Sequence, residues 1–238
     1  MKYEKYKRDS EVSYSLGSFP TFELVSKRPD VVECVIYHSK LIIGDDIKKL
    51  FDLCKKHNIK VINDGKQINK LADKDNCFVI GVFRKYVSKI TGNRHIVLDN
   101  PSDMGNLGTI IRTMLGFGLK DLVVTTPCAD YFNPKVVRAS MGAVFSLNIV
   151  EFPSIDDYIK SNDLKKYFFM LKGKKNLGSF VTPTDNYALV FGNEARGLKD
   201  SLLDVGESVV IKHTNNIDSL NLPISVGMAI YEFNHNLM

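Results

Sequence analysis

The side chains best suited to chemistry lie in three stretches of the second half of the chain, each with polar residues next to a short apolar run. The first stretch, residues 99–124, places carboxylate, amide and hydroxyl groups between a predicted strand and a predicted helix. Open α/β sheets bind ligands beyond the carboxyl ends of their strands, so this loop predicts a ligand site. Arg112 follows Asn106 by six residues, and its forked donors could bind an anion. A solvated or salt-bridged arginine is the alternative.

The second stretch, ALVFGNEARGL at residues 188–198, runs from an apolar strand straight into a loop that contains Gly192 and Gly197. Two glycines this close to polar side chains predict a tight loop at which the backbone approaches another group closely. A plain glycine-rich turn is the alternative. The glycine loops that cradle phosphates in dinucleotide and triphosphate enzymes are absent from the sequence, which disfavours a dehydrogenase or an NTPase.

The third stretch, residues 209–233, is a polar loop that leads through Ser219 and Asn221 into the final helix. Pro223 suits the first turn of that helix, where a missing N–H leaves no hydrogen bond unmade. Capping of the helix is the local alternative for Ser219. Asn221 has less local reason to be polar.

Composition narrows the class of protein. The chain has 32 Lys and Arg against 27 Asp and Glu, and this net charge of +5 favours an anionic partner, although a merely basic protein has the same balance. The four cysteines include no CxxC pair, so neither a zinc site nor a disulfide framework is indicated. No apolar run approaches the roughly 18 residues of a membrane span, which predicts a cytoplasmic protein.

The elements that must position these residues follow an α/β rhythm. Strands that alternate with helices predict a mostly parallel sheet covered on both faces. Residues 31–38 and the lysine-rich segment after Asp45 predict a strand and a helix of a smaller module, preceded by about a dozen polar residues that we expect to fray. The polar segment Arg84–Arg94 is the best candidate linker. We therefore predict two domains, residues 1–90 and 91–238.

Taken together, GNLGTIIR, LVFGNEARGL and SLNLPISVGMAIYE resemble, in this order and at these distances, the three motifs of the TrmH/SpoU family of SPOUT-class RNA 2′-O-methyltransferases. The motifs span Asp99 to Glu232, most of the C-terminal domain. The resemblance implies an α/β fold with a trefoil knot, which periodicity cannot reveal because knots are rare. Residues 1–90 look like the small L30e-like domain that binds substrate RNA in such proteins.

The resemblance also implies roles for single residues. The implied catalytic residues are Asn106, Arg112, Glu194, Ser219 and Asn221, and the implied RNA contacts are Arg112 and Arg196. The implied binding residues for S-adenosylmethionine are Gly192, Asn193, Gly197, Ile211 and Leu220. The third motif departs from the family, because the usual Ile-Pro-Met-x-Gly run reads Ile211-Lys212-His213-Thr214-Asn215. The changed loop is expected to differ in stiffness and charge where the cofactor should lie.

The implied chemistry suits these residue types. Methyl transfer from a sulfonium is an in-line displacement that needs no metal, so positioning and help with the hydroxyl proton can drive it. An arginine side chain is a poor base because its pKa exceeds about 12, so we expect Arg112 to clamp phosphate and oxyanion. The proton acceptor stays open between Arg112, Glu194, a backbone phosphate and water.

These observations predict a homodimeric enzyme that uses S-adenosylmethionine to methylate a ribose 2′-hydroxyl in rRNA or tRNA. The alternative is a non-catalytic RNA-binding or ribosome-assembly protein that keeps the fold; a small-molecule enzyme on a generic α/β fold is less well supported. Further candidates for phosphate contacts, each also explicable as a solvated charge, are Lys27, Arg28, Lys48, Lys49, Arg84, Lys85, Lys172, Lys174 and Lys175.

Overall fold

The computed structural model describes residues 2–72, 76–179 and 186–234. In chain order its strands and helices are β1 (Val12–Leu16), α1 (Ser18–Lys27), β2 (Val32–Tyr37), α2 (Asp45–Lys56), β3 (Lys60–Asn63), α3 (Gly65–Leu71), β4 (Val79–Arg84), β5 (Arg94–Leu98), α4 (Met104–Gly116), β6 (Asp121–Thr125), α5 (Pro134–Ala139), β7 (Asn148–Phe152), α6 (Ile155–Lys160), β8 (Lys165–Phe169), β9 (Lys175–Asn176), β10 (Tyr187–Phe191), β11 (Glu207–Val210) and α7 (Leu222–Asn234). None of the helices in these ranges is long and apolar enough to cross a membrane.

Contacts group the chain into two compact units. The first unit comprises Met1–Tyr86 with Asp130–Ser146, and the second comprises Val87–Ala129 with Leu147–Met238. The segment Asp130–Ser146, which carries α5, therefore groups with the N-terminal part although it lies within the second half of the sequence. The predicted division at residue 90 into an RNA-binding and a catalytic domain stays a prediction.

The first unit contains a four-stranded sheet in the order β1-β4-β2-β3. β4 pairs antiparallel with β1 and β2, and β3 pairs parallel with β2. Side chains alternate along β2, because Cys34 and Ile36 pack into one core cluster while Val35 packs into another with Leu50 and Cys54 of α2. The sheet thus has a buried layer on each face.

The segment ahead of β1 is anchored, so our prediction that it frays is wrong. Tyr3 is buried, its hydroxyl donates to the Glu33 carboxylate at 3.1 Å, and its carbonyl accepts from Gln67 Nε2 at 2.7 Å. Tyr6 donates its hydroxyl to the Asp130 carboxylate. A tyrosine brings an apolar ring and a polar tip together, so a polar-looking segment can still be held by burial.

The second unit contains a seven-stranded sheet in the order β7-β6-β5-β10-β8-β11-β9. All of its strand pairings are parallel, which confirms the prediction of a mostly parallel sheet. After β5 the chain builds outward through β6 and β7, and it then continues on the other side of β5 with β10 and β8. The carboxyl ends of β5, β10, β8 and β11 consequently meet at one edge. The trefoil knot stays a prediction.

α4 presents one face to the interior and the other to solvent. Leu107, Ile110, Ile111 and Met114 are fully buried, as the helical spacing predicts. α4 packs against α7, the last described helix. Arg112 lies on the exposed face of α4.

A buried histidine closes the amino-terminal edge of this sheet. His95 Nε2 lies 3.0 Å from the Gly92 carbonyl, and its Nδ1 lies 2.8 Å from the Tyr158 hydroxyl. The neutral ring satisfies both contacts when Nε2 carries the proton and Nδ1 accepts. Burial lowers the pKa of His95 despite the carbonyl of Gly92 and the nearby Asp121 carboxylate, which both oppose the shift.

Candidate functional site

A cavity of about 700 Å³ opens at the carboxyl edge of the second unit, where β8, β10 and β11 end. Residues from all three motifs line it: Asn106 from α4, the loop Gly192–Leu198 after β10, Ile211 after β11, and Ser219–Leu222 at the start of α7. Every predicted site residue therefore lies on this one cavity except Arg112. Asn106 and Ser219 are more than 100 positions apart in the sequence, but they meet at this cavity because parallel strands end at the same edge of the sheet.

The loop after β10 closes tightly on itself. A Cβ on Gly192 would lie 2.1 Å from the carbonyl carbon of Gly197 and 2.4 Å from the backbone nitrogen of Leu198, so no side chain fits there. Gly197 has a φ of +65°, and its N–H donates to the Asn193 carbonyl at 2.9 Å. The close backbone approach that the two glycines predicted is an approach to the loop's own backbone.

The Glu194 carboxylate joins the second motif to the first. It accepts from the backbone N–H of Ser102 at 3.4 Å, the Ser102 hydroxyl at 3.1 Å and the backbone N–H of Asp103 at 3.4 Å. It also accepts from the side-chain amides of Asn106 at 3.3 Å and Asn193 at 3.4 Å. Asp103 in turn caps α4 by accepting from the Asn106 N–H at 2.7 Å.

These donors determine the charge state of Glu194. Burial acts to raise its pKa, but hydrogen bonds from its own backbone and from Asn106, Ser102 and Asp103 outweigh burial and leave the pKa lowered. Glu194 is therefore an ionised acceptor surrounded by donors. A group in that state orients its neighbours more readily than it takes up a proton.

Asn100, one of the amide side chains of the predicted ligand loop after β5, holds the Gly192–Leu198 loop from the other side. Its φ is +46°, a left-handed conformation that asparagine tolerates better than most residues. Its carbonyl accepts from Asn193 Nδ2 at 2.8 Å, and its Oδ1 accepts from the Arg196 guanidinium at 3.3 Å. Its Nδ2 donates to the Pro127 carbonyl at 3.2 Å. An asparagine directly after a strand was the available signal.

The third motif contributes the edge of the cavity next to α7. That helix begins at Leu222, and the carbonyl of Asn221 accepts from the Ser225 N–H at 3.0 Å. Asn221 rather than Ser219 therefore directly precedes the helix, so capping by Ser219 is wrong. The side chains of Ser219 and Asn221 are exposed at the cavity.

Arg112 lies outside the lining of the cavity, exposed on α4. It forms no hydrogen bond or ion pair with any residue that the structure describes. Its guanidinium is therefore available to an external anion.

Most of the lysines suggested as phosphate contacts are already paired with acids. Lys172 contacts Asp200 at 2.6 Å, Lys175 contacts Glu207 at 2.5 Å and Lys174 contacts Asp204. Two of the four lysines of α2 pair likewise, Lys48 with Asp45 at 3.2 Å and Lys49 with Asp46 at 3.9 Å. Exposed pairs of this kind are weak, so they reduce the local positive charge more than they stabilise the fold. Within the described ranges no group of three or more His, Cys, Asp or Glu is arranged to hold a metal ion.

The fold and the cavity define an α/β protein with the architecture of the SpoU methyltransferases. The AdoMet-bound rRNA methyltransferase from Sinorhizobium meliloti matches with a TM-score of 0.80 and 25% identity, over 96% of this chain and 88% of that one. The SpoU methyltransferase AviRb from Streptomyces viridochromogenes, in complex with AdoMet, matches with a TM-score of 0.81 over 95% of this chain and 91% of that one. At 21% identity this second match shows likeness of fold alone.

Residues 93–231 match the SpoU rRNA Methylase family, and the chain belongs to that family. The 23S rRNA (guanosine(2553)-2′-O)-methyltransferase RlmP of Bacillus subtilis is 29% identical over 144 residues, 59% of this chain and 58% of that protein. The 23S rRNA (adenosine(1067)-2′-O)-methyltransferase of Streptomyces azureus is 28% identical over 196 residues, 77% of this chain and 73% of that protein. The chain spans 50% to 58% of the length of the Bacillus subtilis relative and two others.

Proposed function

We propose that this chain uses S-adenosylmethionine to methylate a ribose 2′-hydroxyl of rRNA or tRNA, as a homodimer in the cytoplasm. The observation that carries the proposal is the convergence of all three motifs on one cavity at the carboxyl edge of the sheet. The names of the relatives, which are 2′-O-methyltransferases of rRNA, support the same substrate class for this chain.

The residues of the cavity fit S-adenosylmethionine. The volume of the cavity, about 700 Å³, lies within the roughly 300–1,000 Å³ that is typical of small-molecule sites. Phe169 and Phe191, whose stacked rings have centroids 4.4 Å apart, line the cavity, and Leu198 and Val209 add apolar surface suited to a planar base. Backbone and side-chain polar groups of the Gly192–Gly197 loop supply the few hydrogen-bonding partners that such a ligand requires. When bound, the cofactor supplies an electrophilic methyl group on a positively charged sulfur.

The protein's part in the reaction is to position the target ribose and to favour loss of its hydroxyl proton. Glu194 fixes the start of α4, and with it Asn106 at the cavity wall. Arg112, exposed and unpaired among the described residues, is suited to hold a phosphate next to the target ribose with its forked donors. Correct placement of reacting groups alone can lower a barrier by several kcal/mol, on the order of 7–11 in favourable cases.

The proton acceptor can be narrowed from the structure. Glu194 is a poor candidate because donors already occupy both carboxylate oxygens and lower its pKa. Arg112 is a poor candidate because guanidinium groups stay protonated in proteins. We therefore assign the proton to a phosphate of the RNA or to water, with Arg112 stabilising the developing oxyanion.

Exposed apolar side chains on α7 support the homodimer. Ile224, Met228 and Tyr231 recur at helical spacing and are 56%, 43% and 58% exposed. Tyr231 also packs edge-on against Phe117, so part of its ring is already fixed. An apolar stripe of this kind on a helix is typical of an interface between subunits. Sedimentation should give twice the 26.8 kDa chain mass, and Met228→Arg should shift it to one chain; a wild-type monomer would refute the dimer.

One observation favours the non-catalytic alternative. In the segment Ile211–Asn215, where the third motif differs from the family pattern, His213 Nδ1 lies 3.0 Å from the Ile211 carbonyl. The backbone of Ile211 is one of the groups implied to hold the cofactor. An internal hydrogen bond there competes with a ligand for the same acceptor. The two functions therefore differ in whether the cavity binds S-adenosylmethionine.

Calorimetric titration of the full chain with S-adenosylmethionine, and with its demethylated product, tests the proposal. We expect saturable binding at one site per chain, and loss of binding in Ile211→Pro, which removes a backbone donor beside the cavity. His213→Ala is the matched variant, because it frees the Ile211 carbonyl and should tighten binding. Absence of binding to the folded chain, with or without added RNA, would instead favour the non-catalytic RNA binder.

A further inference from the structure

A second, smaller cavity lies in the first unit, away from the three motifs. Its volume is about 180 Å³, below the roughly 300 Å³ at which sites for drug-sized ligands begin. Tyr14, Leu16 and Leu71 form a buried apolar floor. Lys5, from the anchored N-terminal segment, lies at its edge. A space of this size and lining suits one planar ring system.

The remaining wall comes from α5, in the segment that groups with the first unit. Asn133 accepts from the Lys135 N–H at 2.9 Å and Pro134 occupies the first turn, so the start of this short helix is fixed. Lys135 and Arg138 are three residues apart and therefore project from the same side of the helix. Both line the cavity.

The three cations at this cavity, Lys5, Lys135 and Arg138, are not neutralised by the protein. Across the described residues none of them forms an ion pair or a side-chain hydrogen bond. The acids nearby are already engaged, Glu4 by Lys70 at 2.5 Å and Asp130 by Lys85 at 3.2 Å. This contrasts with Lys48 and Lys49 of α2 and with Lys172, Lys174 and Lys175 of the second unit, which are paired with acids. Three uncompensated cations around an apolar floor indicate a ligand with a flat apolar part and negative charge.

We propose that this cavity is a nucleotide subsite, which receives one unpaired base of the substrate RNA on its apolar floor and the flanking phosphates on Lys5, Lys135 and Arg138. Proteins that recognise single-stranded RNA combine these two features, an apolar or aromatic seat for a splayed base and basic side chains along the backbone. The inference rests on the proposed RNA substrate. A bare anion is a poorer match, because the Tyr14 hydroxyl already donates to the Glu4 carbonyl at 2.6 Å and the leucine side chains of the floor carry no donors.

Anisotropy of a fluorescein-labelled, mixed-sequence 12-nucleotide RNA with the full chain tests the subsite. The site variant replaces Lys5, Lys135 and Arg138 by Gln; the matched control replaces the exposed Lys40, Lys55 and Lys56 of the same unit by Gln, which removes the same charge. Loss of three phosphate contacts should lower the slope of log affinity against log salt by about 2 and weaken binding about 10- to 100-fold at 0.1 M KCl. The control should lose markedly less.

Two further experiments distinguish binding of a base on the apolar floor from binding of negative charge alone. A 4-thiouridine RNA should crosslink to residues 5–16 and 133–138. Polyphosphate or polyglutamate of matched charge should compete poorly, and equal competition by either would overturn the base seat. Equal losses in site variant and control, or no RNA binding by the wild type, would overturn the subsite. Arg138→Gln alone, expected to give a partial loss, decides the matter if the triple variant fails to fold.

Titration of the same proteins with S-adenosylmethionine keeps the two proposals distinguishable. The site variant should bind the cofactor as the wild type does, because its substitutions lie outside the cavity lined by the motifs. RNA loss with cofactor binding retained supports the subsite. Cofactor binding without any RNA effect refutes the subsite and leaves the methyltransferase proposal standing.

Discussion

Replacement of Glu194 by Gln distinguishes a positioning role from a role as general base. The two carboxylate oxygens have separate partners: one accepts from Asp103 and Asn106, and the other accepts from Ser102 and Asn193. Glutamine keeps the shape and one acceptor oxygen, but it turns an N–H₂ group toward one of the two sets of donors. The variant therefore removes hydrogen bonds and charge without creating a cavity.

The expected loss of rate follows from the hydrogen bonds that the substitution removes. When the amide replaces the oxygen that faces Ser102 and Asn193, two N–H donors lose their acceptor, while the Ser102 hydroxyl can rotate and accept instead. Each contact is 3.1–3.4 Å long and Glu194 is only half-buried, so about 1 kcal/mol per bond is appropriate. The total of about 2 kcal/mol corresponds to about a 30-fold lower rate if it falls entirely on the placement of Asn106.

The assay is transfer of tritium from labelled S-adenosylmethionine to purified rRNA or tRNA as a function of pH. For a positioning role, Glu194→Gln should retain about 3% of the wild-type rate, with an unchanged pH profile. Because the pKa of Glu194 is lowered, wild-type stability should also fall as pH drops below about 4.5, and this dependence should be weaker in the variant. A loss of about 10⁴-fold, with unfolding and cofactor affinity unchanged, would refute our reasoning and identify a base.

Three further predictions concern other parts of the second unit. Arg112→Ala should abolish methyl transfer but change the unfolding free energy by less than about 0.5 kcal/mol, because the side chain is exposed on a helix; normal turnover would exclude Arg112 from the site. Gly192→Ala should lower the free energy of unfolding by about 3 kcal/mol in a urea titration, since its Cβ would lie 2.1 Å from the backbone of Gly197. Gly116→Ala, with open space around it, should leave that free energy unchanged or raise it. Similar losses for both variants would contradict the close approach of the loop to its own backbone. Since burial lowers the pKa of His95 below 6.5, the unfolded chain binds the proton first, so stability should be full above that pH and fall below it; a slope that persists in His95→Gln would assign the effect elsewhere.

The parallel sheet was predictable because its strands are short apolar runs separated by helical spacing. β5, β6, β8 and β10 are buried over most of their length and carry an unambiguous pattern. β1 and α1 were missed. β1 reads VSYSL, a short alternating run directly after a polar segment; its serines, Ser13 and Ser15, are buried and satisfy their hydroxyls internally, so they do not mark a solvent-facing side of the strand.

The grouping of Asp130–Ser146 with the first unit also had no local signal. Ser13 Oγ donates to the carbonyl of Phe132, and Phe83 packs edge-on against Phe145 at 5.1 Å. These contacts join residues more than 60 positions apart, and only tertiary packing can specify them. Removal of residues 1–90 would consequently expose the buried face of this segment, so such a truncation would not isolate the second unit cleanly.

The residues of the candidate site were predictable as a set, but their geometry was not. Asn106 and Arg112 both belong to the first motif, so matching that motif assigns both residues to one site. An α-helix turns about 100° and rises about 1.5 Å per residue, so Arg112 lies about 120° around and about 9 Å along the axis from Asn106. Arg112 therefore cannot share the cavity wall that Asn106 occupies. Arg112 can act only on RNA that crosses the rim of the cavity, or on the cavity of a second subunit. In the latter case, an Arg112→Ala chain mixed with a chain inactivated at its cavity should regain activity. Random pairing of the two chains should give about a quarter of the wild-type activity.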